Sequence, residues 1–306
     1  MSPADVSAAD VRTRLRAALA ATTARLGEAG VPSPSADARR LLSAAARTDR
    51  PLVLLDELPD DFEDGLEALV ARRAEREPLQ LILGRAPFRR LELEVRPGVF
   101  IPRPETELAV DLLREHAIGE LRTVVDLCSG SGALGAAVLD EHPDARVLAV
   151  EIDEAAAELT AVNLDAAGPG RGQVLHGDLM TELPELAAAR PVDAVLSNPP
   201  YIPPEAIPRD PEVIAHDPHR ALFGGGEDGL EVPRAVLAWA ARLLRPGGVL
   251  VMEHADVQGP AARDAALAQG GFEQVMTLPD LTGRDRFLLA RRTPGESPAE
   301  DERLSR

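Results

Sequence analysis

Asp126, Cys128, Ser129, Gly130, Ser131, Gly132 and Gly135 fall in one short stretch between an apolar run and a helical one. Glycines there let the backbone approach a ligand closely, and the helix start offers unpaired N–H groups. Gly130, Gly132 and Gly135 spell the pattern G-x-G-x-x-G, and Glu151 closes the next strand. A carboxylate at that point can accept both hydroxyls of a ribose. A nucleoside ligand is therefore expected, and NAD and S-adenosylmethionine both meet these requirements. Asp126 bears on the choice. An acid ahead of the glycines faces the pyrophosphate of NAD unfavourably, but suits the ammonium of a methionine moiety, directly or through water. Asp178, in His-Gly-Asp-Leu after the third strand, falls where an adenine would lie.

The sharpest signal is Ser197-Asn198-Pro199-Pro200-Tyr201, directly after the fourth strand. Two consecutive prolines fix the backbone and remove two N–H donors, which leaves carbonyls free to accept. A planar NH₂ group has two N–H bonds to satisfy. The Asn198 side-chain oxygen can accept one and the Pro199 carbonyl the other, with Tyr201 packing against the amide or base plane. That grip turns the nitrogen toward a methyl donor beside it. An amide nitrogen is a poor nucleophile because its lone pair is delocalised. Holding it in line, with acceptors for the positive charge that develops, supplies the catalysis without a covalent enzyme intermediate. Each residue also has a plain structural reading: Asp126 as a loop cap, Glu151 as a solvated strand end, Asn198 as the cap of a proline-rich turn. Their occurrence together favours the site.

These residues need a scaffold, and the chain supplies one. Apolar strands at Val124–Leu127, Val147–Val150, Val174-Leu175, Val192–Leu196 and Val249–Met252 alternate with helices over 133–139, 154–165 and 231–244. A helix near 258–268 and strands near Val275 and Phe287 follow. Such alternation implies a Rossmann-like α/β fold with a doubly wound, mostly parallel sheet. Residues 1–77 read as a small helical bundle, with Val11, Leu15, Leu19 and Leu26 at helical spacing and Ser35 as the cap of a second helix. Residues 78–107 read as a hairpin linker, 108–292 as the catalytic domain and 293–306 as a disordered polar tail. No internal repeat is evident.

Composition removes several function classes. Fifty-one acids against 33 bases give a net charge of −18, which repels phosphate backbones. Phe, Trp and Tyr make up only 3% of the chain, too few for a stacking platform along single strands. The one cysteine, Cys128, permits no internal disulfide. With no apolar leader or spanning run, a cytoplasmic protein without membrane or direct nucleic-acid contact is expected, as a monomer.

At this point the chain resembles the PrmC/HemK family of release factor glutamine methyltransferases over roughly residues 10–292. Pro78-Leu-Gln80 with Gly84 and Phe88, the string Pro97–Glu107, Val124–Gly132 and Asn198–Tyr201 carry the likeness. So do Asp217-Pro218 through Leu230, Glu253-His254 through Gln258, and Asp280–Arg286. The resemblance implies S-adenosylmethionine as cofactor, with Cys128–Gly132 cradling the methionine moiety and Glu151 taking the ribose. It puts Asp178 and Leu179 beside the adenine and the acceptor glutamine in the grip of Asn198–Tyr201. It also implies a substrate: the glutamine of the Gly-Gly-Gln loop in class I peptide chain release factors, methylated at N5. The chain departs from the family at Cys128-Ser129, at Glu151 where aspartate is common, and at Leu179 where an aromatic is frequent.

Rival readings are an adenine-N6 nucleic-acid methyltransferase, a ribosomal-protein glutamine methyltransferase, a cofactor-binding module without turnover and an NAD oxidoreductase. Net charge opposes the first, and no hydride-site acid or base favours the last. No metal is expected, because His216 and His219 lack further ligands at zinc spacing. Cys128 has no base placed to activate it. Arg103 and Glu105 are read as gating an acceptor or pinning the linker, and Glu253 as lining the pocket or serving structure.

Overall fold

The structure, a computed structural model, describes residues 8–206 and 210–294. The chain forms two compact units, Met1–Arg85 with Pro208–His216, and Ala86–Ile207 with Asp217–Arg306. Of the tail expected to be disordered, residues 295–306 lie outside the described residues. No helix among the described residues is long and apolar enough to cross a membrane.

In the first unit, apolar faces of α1 (Ala8–Glu28), α2 (Pro34–Ala45), α3 (Phe62–Ala74) and α4 (Leu79–Leu83) close on one core. Leu26, Leu41, Leu42 and Phe62 are at its centre. Ser35 does not cap α2: Pro34 is already helical, and Ser33 is the capping residue, without a side-chain bond. Proline suits the first helical position because its φ is preset and an N–H there would have no partner in the helix. Arg73 is buried among acids, donating to Asp37 at 2.8 Å and to Glu212 at 2.9 Å. Glu212 belongs to a short helix, Pro211–His216, that is part of this unit.

The second unit opens with the hairpin of β1 (Arg85–Phe88) and β2 (Leu91–Glu94), then a 3₁₀ turn at Pro104–Glu107 and α5 (Leu108–His116). Strands and helices then alternate: β3 (Thr123–Leu127), α6 (Ala133–Glu141), β4 (Arg146–Glu151), α7 (Glu154–Ala167), β5 (Gly172–His176) and β6 (Val192–Ser197). After β7 (Leu244–Glu253), β8 (Phe272–Pro279) and β9 (Asp285–Arg292) complete a seven-stranded sheet in the order β5-β4-β3-β6-β7-β9-β8. β3 to β7 pair in parallel, and β9 runs antiparallel to β7 and β8.

Both faces of the sheet are covered, which is why its central strands are continuous apolar runs. Val124, Ala194, Leu196, Val249 and Val251 face one core with α5 and α6. Val125, Val195, Leu250 and Met252 alternate onto the other, with Leu237 and Trp239 of the helix Glu231–Leu243. From β3 the chain winds outward through β4 and β5, then returns to place β6 on the opposite side of β3. That reversal opens a crevice at the carboxyl ends of β3, β4 and β6, the position where open α/β sheets bind ligands.

Candidate active site

The loop leaving β3 is built from left-handed backbone: Cys128 at φ 59°, Gly130 at 57° and Gly132 at 78°. Gly132 has no room for a side chain, since a Cβ there would lie 3.0 Å from Thr160 Cγ2 and 3.1 Å from its Cα. α7 holds the loop down. Thr160 Oγ1 donates to the Gly130 carbonyl at 2.9 Å, and Asn163 Nδ2 donates to the Ser131 carbonyl at 2.8 Å. Asn163 also exchanges hydrogen bonds with the backbone of Glu94, at 2.9 and 3.0 Å, which fastens the hairpin to the same helix.

Glu151, at the end of β4, is tied to the loop directly. Its Oε2 accepts from the Gly130 N–H at 2.8 Å, and its Oε1 from the N–H groups of Ile152 and Asp153 at 2.9 and 3.0 Å. Asp126 is 1% exposed. One of its oxygens accepts from the Gly135 N–H at 3.0 Å, while Oδ1 is buried and has no hydrogen-bond partner. Burial, with the charge of Glu151 adding and the Gly135 bond opposing, pushes this carboxyl up to about 7. Burial and the same acids hold the Cys128 thiol well above its ordinary value, so it stays protonated. Asp178 accepts from the Met180 N–H at 2.8 Å, and the Leu179 carbonyl accepts from the Trp239 indole at 2.9 Å.

β6 delivers the proline corner. The Ser197 hydroxyl donates to the Leu127 carbonyl at 2.7 Å, joining the ends of β6 and β3. Asn198 follows, half-buried, with its Nδ2 donating to Thr106 Oγ1 at 3.1 Å. Tyr201 turns its hydroxyl onto the buried Glu253, donating at 3.1 Å. Its phenol is held above the usual range by burial and by that carboxylate.

A cavity of about 320 Å³ joins these parts. It is lined by Asp126, Cys128, Ser129, Gly130, Ser131, Glu151, Asp178, Leu179, Asn198 and Pro200. Gly132, Pro199 and Tyr201 do not line it. Gly132 is pressed on α7 instead, and Tyr201 gives its hydroxyl to Glu253. Glu253 is likewise absent from the wall; it binds Thr106 and Tyr201 behind it.

The linker contributes wall residues: Arg103, for which gating the acceptor is one of the two readings, and Val99, Phe100 and Thr106, which no motif chemistry indicated. Arg103 stacks over the Phe100 ring at 4.6 Å and pairs with Asp217. Its position two residues after Ile101 in a proline-rich string marks a fixed loop, but not which cavity that loop borders. Thr160 and Asn163 were also silent in the sequence; the available signal is a pair of polar residues one turn apart on the buried face of a helix. His219 stacks on Phe223 with ring centres 4.1 Å apart. Among the described residues no group of three His, Cys, Asp or Glu is arranged to hold a metal ion.

Several known proteins resemble this chain. A family described as PrmC N-terminal domain matches residues 17–84, and one described as methyltransferase small domain matches residues 90–262. A curated protein of Mycolicibacterium smegmatis named release factor glutamine methyltransferase is 46% identical over 283 residues, covering 92% of this chain and 98% of that one. The protein of the same name from Streptomyces coelicolor is 46% identical over 284 residues, with 91% and 98% coverage. That of Mycobacterium tuberculosis H37Rv is 39% identical over 302 residues, with 95% and 98% coverage. Among solved structures, a methyltransferase from Pyrococcus furiosus has a TM-score of 0.48 at 18% identity, over 67% of this chain and 89% of that one.

Proposed function

The chain belongs to the release factor glutamine methyltransferases, and from that premise we propose that it methylates N5 of the glutamine in the Gly-Gly-Gln loop of class I release factors. The methyl donor is S-adenosylmethionine, which when bound supplies a methyl group on a positively charged sulfur. The residues present suit it. The unpartnered Asp126 Oδ1 offers a buried acceptor for the ammonium end, and the space above Gly130, where a Cβ would meet nothing, admits a close ligand backbone. Glu151 has three of its acceptor sites taken by backbone donors and keeps one, on Oε2, for a ribose hydroxyl. Leu179 and Met180 give an apolar edge beside Asp178 for the base.

The acceptor carboxamide is held by Asn198, which lines the cavity, and by the carbonyl of Pro199, which is not among the present lining residues. These two oxygens take its N–H hydrogens and turn the nitrogen lone pair toward the donor. As the carbon–nitrogen bond forms and the methyl carbon's bond to sulfur breaks, its electron pair going to the sulfur, positive charge moves onto nitrogen, and fixed acceptors stabilise it without reorganising. The proton is then lost to solvent. Pro200 keeps the corner rigid, so little conformational freedom is left to lose at the transition state. What supports this reading above all is that Asn198 lines the same cavity as Gly130 and Glu151. The helical unit is the docking surface for the release factor, and the protein acts as a cytoplasmic monomer.

The test is transfer of label from methyl-labelled S-adenosylmethionine to a purified release factor, with the loop glutamine changed to alanine as control. Asn198→Ala should keep cofactor binding by calorimetry and lose about 10²–10³ in kcat, as when one preorganised partner of a transition state is removed. Label on the alanine control, or on duplex DNA in place of the factor, defeats the reading.

A further inference from the structure

From the cavity wall inward runs a chain of hydrogen-bonded side chains that joins three distant segments. Thr106, 4% exposed, comes from the 3₁₀ turn before α5; Asn198 and Tyr201 come from the corner after β6; Glu253, also 4% exposed, ends β7. The Thr106 hydroxyl donates to Glu253 Oε2 at 2.7 Å, and Tyr201 donates to Glu253 Oε1 at 3.1 Å. Burial pushes the Glu253 carboxyl up, and the hydroxyls of Thr106 and Tyr201, with the charge of Arg286, pull against it. Asn198 Nδ2 meets Thr106 Oγ1 at 3.1 Å.

A hydroxyl has one hydrogen to give. Glu253 accepts from both Thr106 and Tyr201, so Thr106 spends its hydrogen there and has only lone pairs left for Asn198. The end of the Asn198 carboxamide that faces Thr106 must then be the NH₂ group, which turns its oxygen to the other side. Rotating the amide by half a turn would set two oxygens against each other and present N–H to an acceptor that itself brings N–H.

We propose that Thr106 is a positioning residue for methyl transfer: with its hydrogen committed to Glu253, it fixes which end of the Asn198 carboxamide meets the substrate amide. The proposal rests on Asn198 holding the acceptor, as argued above. The two can be separated by experiment.

Thr106→Val is nearly isosteric and removes only the hydroxyl; Thr106→Ser removes only a methyl group. A packing role predicts that Val is tolerated and Ser is the impaired variant. Orientation of Asn198 predicts the reverse. The variants are compared with Asn198→Ala by steady-state kinetics on a purified release factor, with S-adenosylmethionine binding measured by calorimetry. Thr106→Val should lose about tenfold or more in kcat, with cofactor affinity and the KM for the factor within about twofold, while Thr106→Ser keeps kcat within about threefold. Thr106→Ala, smaller and also without a hydroxyl, should repeat the kcat loss and serves if the valine variant does not fold. A kcat for Thr106→Val within twofold of the parent, or Thr106→Ser as slow as Thr106→Val, overturns the proposal. If Asn198→Ala itself turns over normally, the fault lies with the acceptor reading. If Asn198→Ala is inactive and Thr106→Val is not, only the positioning role falls.

Discussion

Replacing Asp126 by asparagine separates the charge of this carboxyl from its shape. The Gly135 N–H donates to it at 3.0 Å, and an asparagine oxygen can accept the same bond. What the variant lacks is the ionised form. The folded protein holds this carboxyl up at about 7, against an ordinary 3.8, chiefly because burial penalises the charge. Below about pH 4 it is protonated whether the chain is folded or not. Above that the unfolded chain ionises and the folded one does not, so stability falls as pH rises until the folded form ionises too, near 7. At about 1.4 kcal/mol per pH unit, the cost between pH 5 and pH 8 is about 3 kcal/mol. Urea unfolding of the ligand-free proteins at those two pH values should show Asp126→Asn gaining about that much on the parent. Parallel stability curves would refute the buried, destabilising charge. The same linkage reaches the cofactor. A cation beside Asp126 requires the ionised form, which is roughly a tenth of the ligand-free protein at pH 6 and nine-tenths at pH 8. S-adenosylmethionine affinity of the parent should therefore rise about tenfold over that interval, and that of the asparagine variant should stay flat. A flat profile for both would leave Asp126 as a buried acid and refute its role toward the ammonium.

Gly132→Ala should destabilise the protein by at least about 2 kcal/mol, because its φ of 78° is left-handed and the new methyl meets Thr160 at 3.0 Å; an unchanged melting temperature would show that the loop can move off α7. Arg73→Met strands the carboxylate of Asp37 inside the helical unit and should cost about 3 kcal/mol in urea unfolding. Adding Asp37→Leu to that variant should recover more than half, and a double variant no better than the single would show that the loss was packing, not charge. Trp239→Phe removes the donor to the Leu179 carbonyl and should cost about 1–2 kcal/mol with a weaker hold on the cofactor and an unchanged kcat; a loss of kcat alone would contradict that assignment.

Much of the sheet was legible because burial on both faces demands unbroken apolar runs, and Val124–Leu127, Val192–Leu196 and Val249–Met252 supply them. At the start of α2 position outweighs residue type: Ser35 is a good capping type, but Pro34 ahead of it begins the helix. Asp126, Gly130 and Glu151 could be grouped because one strand–helix–strand unit fixes their separation. Thr106, Asn198 and Glu253 could not. They are 92 and 55 residues apart along the chain, and nothing local in a threonine before α5 says that a glutamate at the end of β7 will take its hydrogen. Tyr201 shows the same limit, since its type suggested an aromatic face for the acceptor while the fold spends its hydroxyl on Glu253.

This division has a functional consequence. The proposed cofactor cradle is closed by backbone groups and by residues of β3, β4 and α7, all within one contiguous stretch of chain. The proposed acceptor grip depends on side-chain hydrogens allotted among segments that meet only in the folded sheet. Substitutions in the first set should change cofactor affinity and turnover together. Substitutions in the second leave the cradle intact and fall on the chemical step, because they alter the direction of one carboxamide oxygen and not the shape of the cavity that receives the donor.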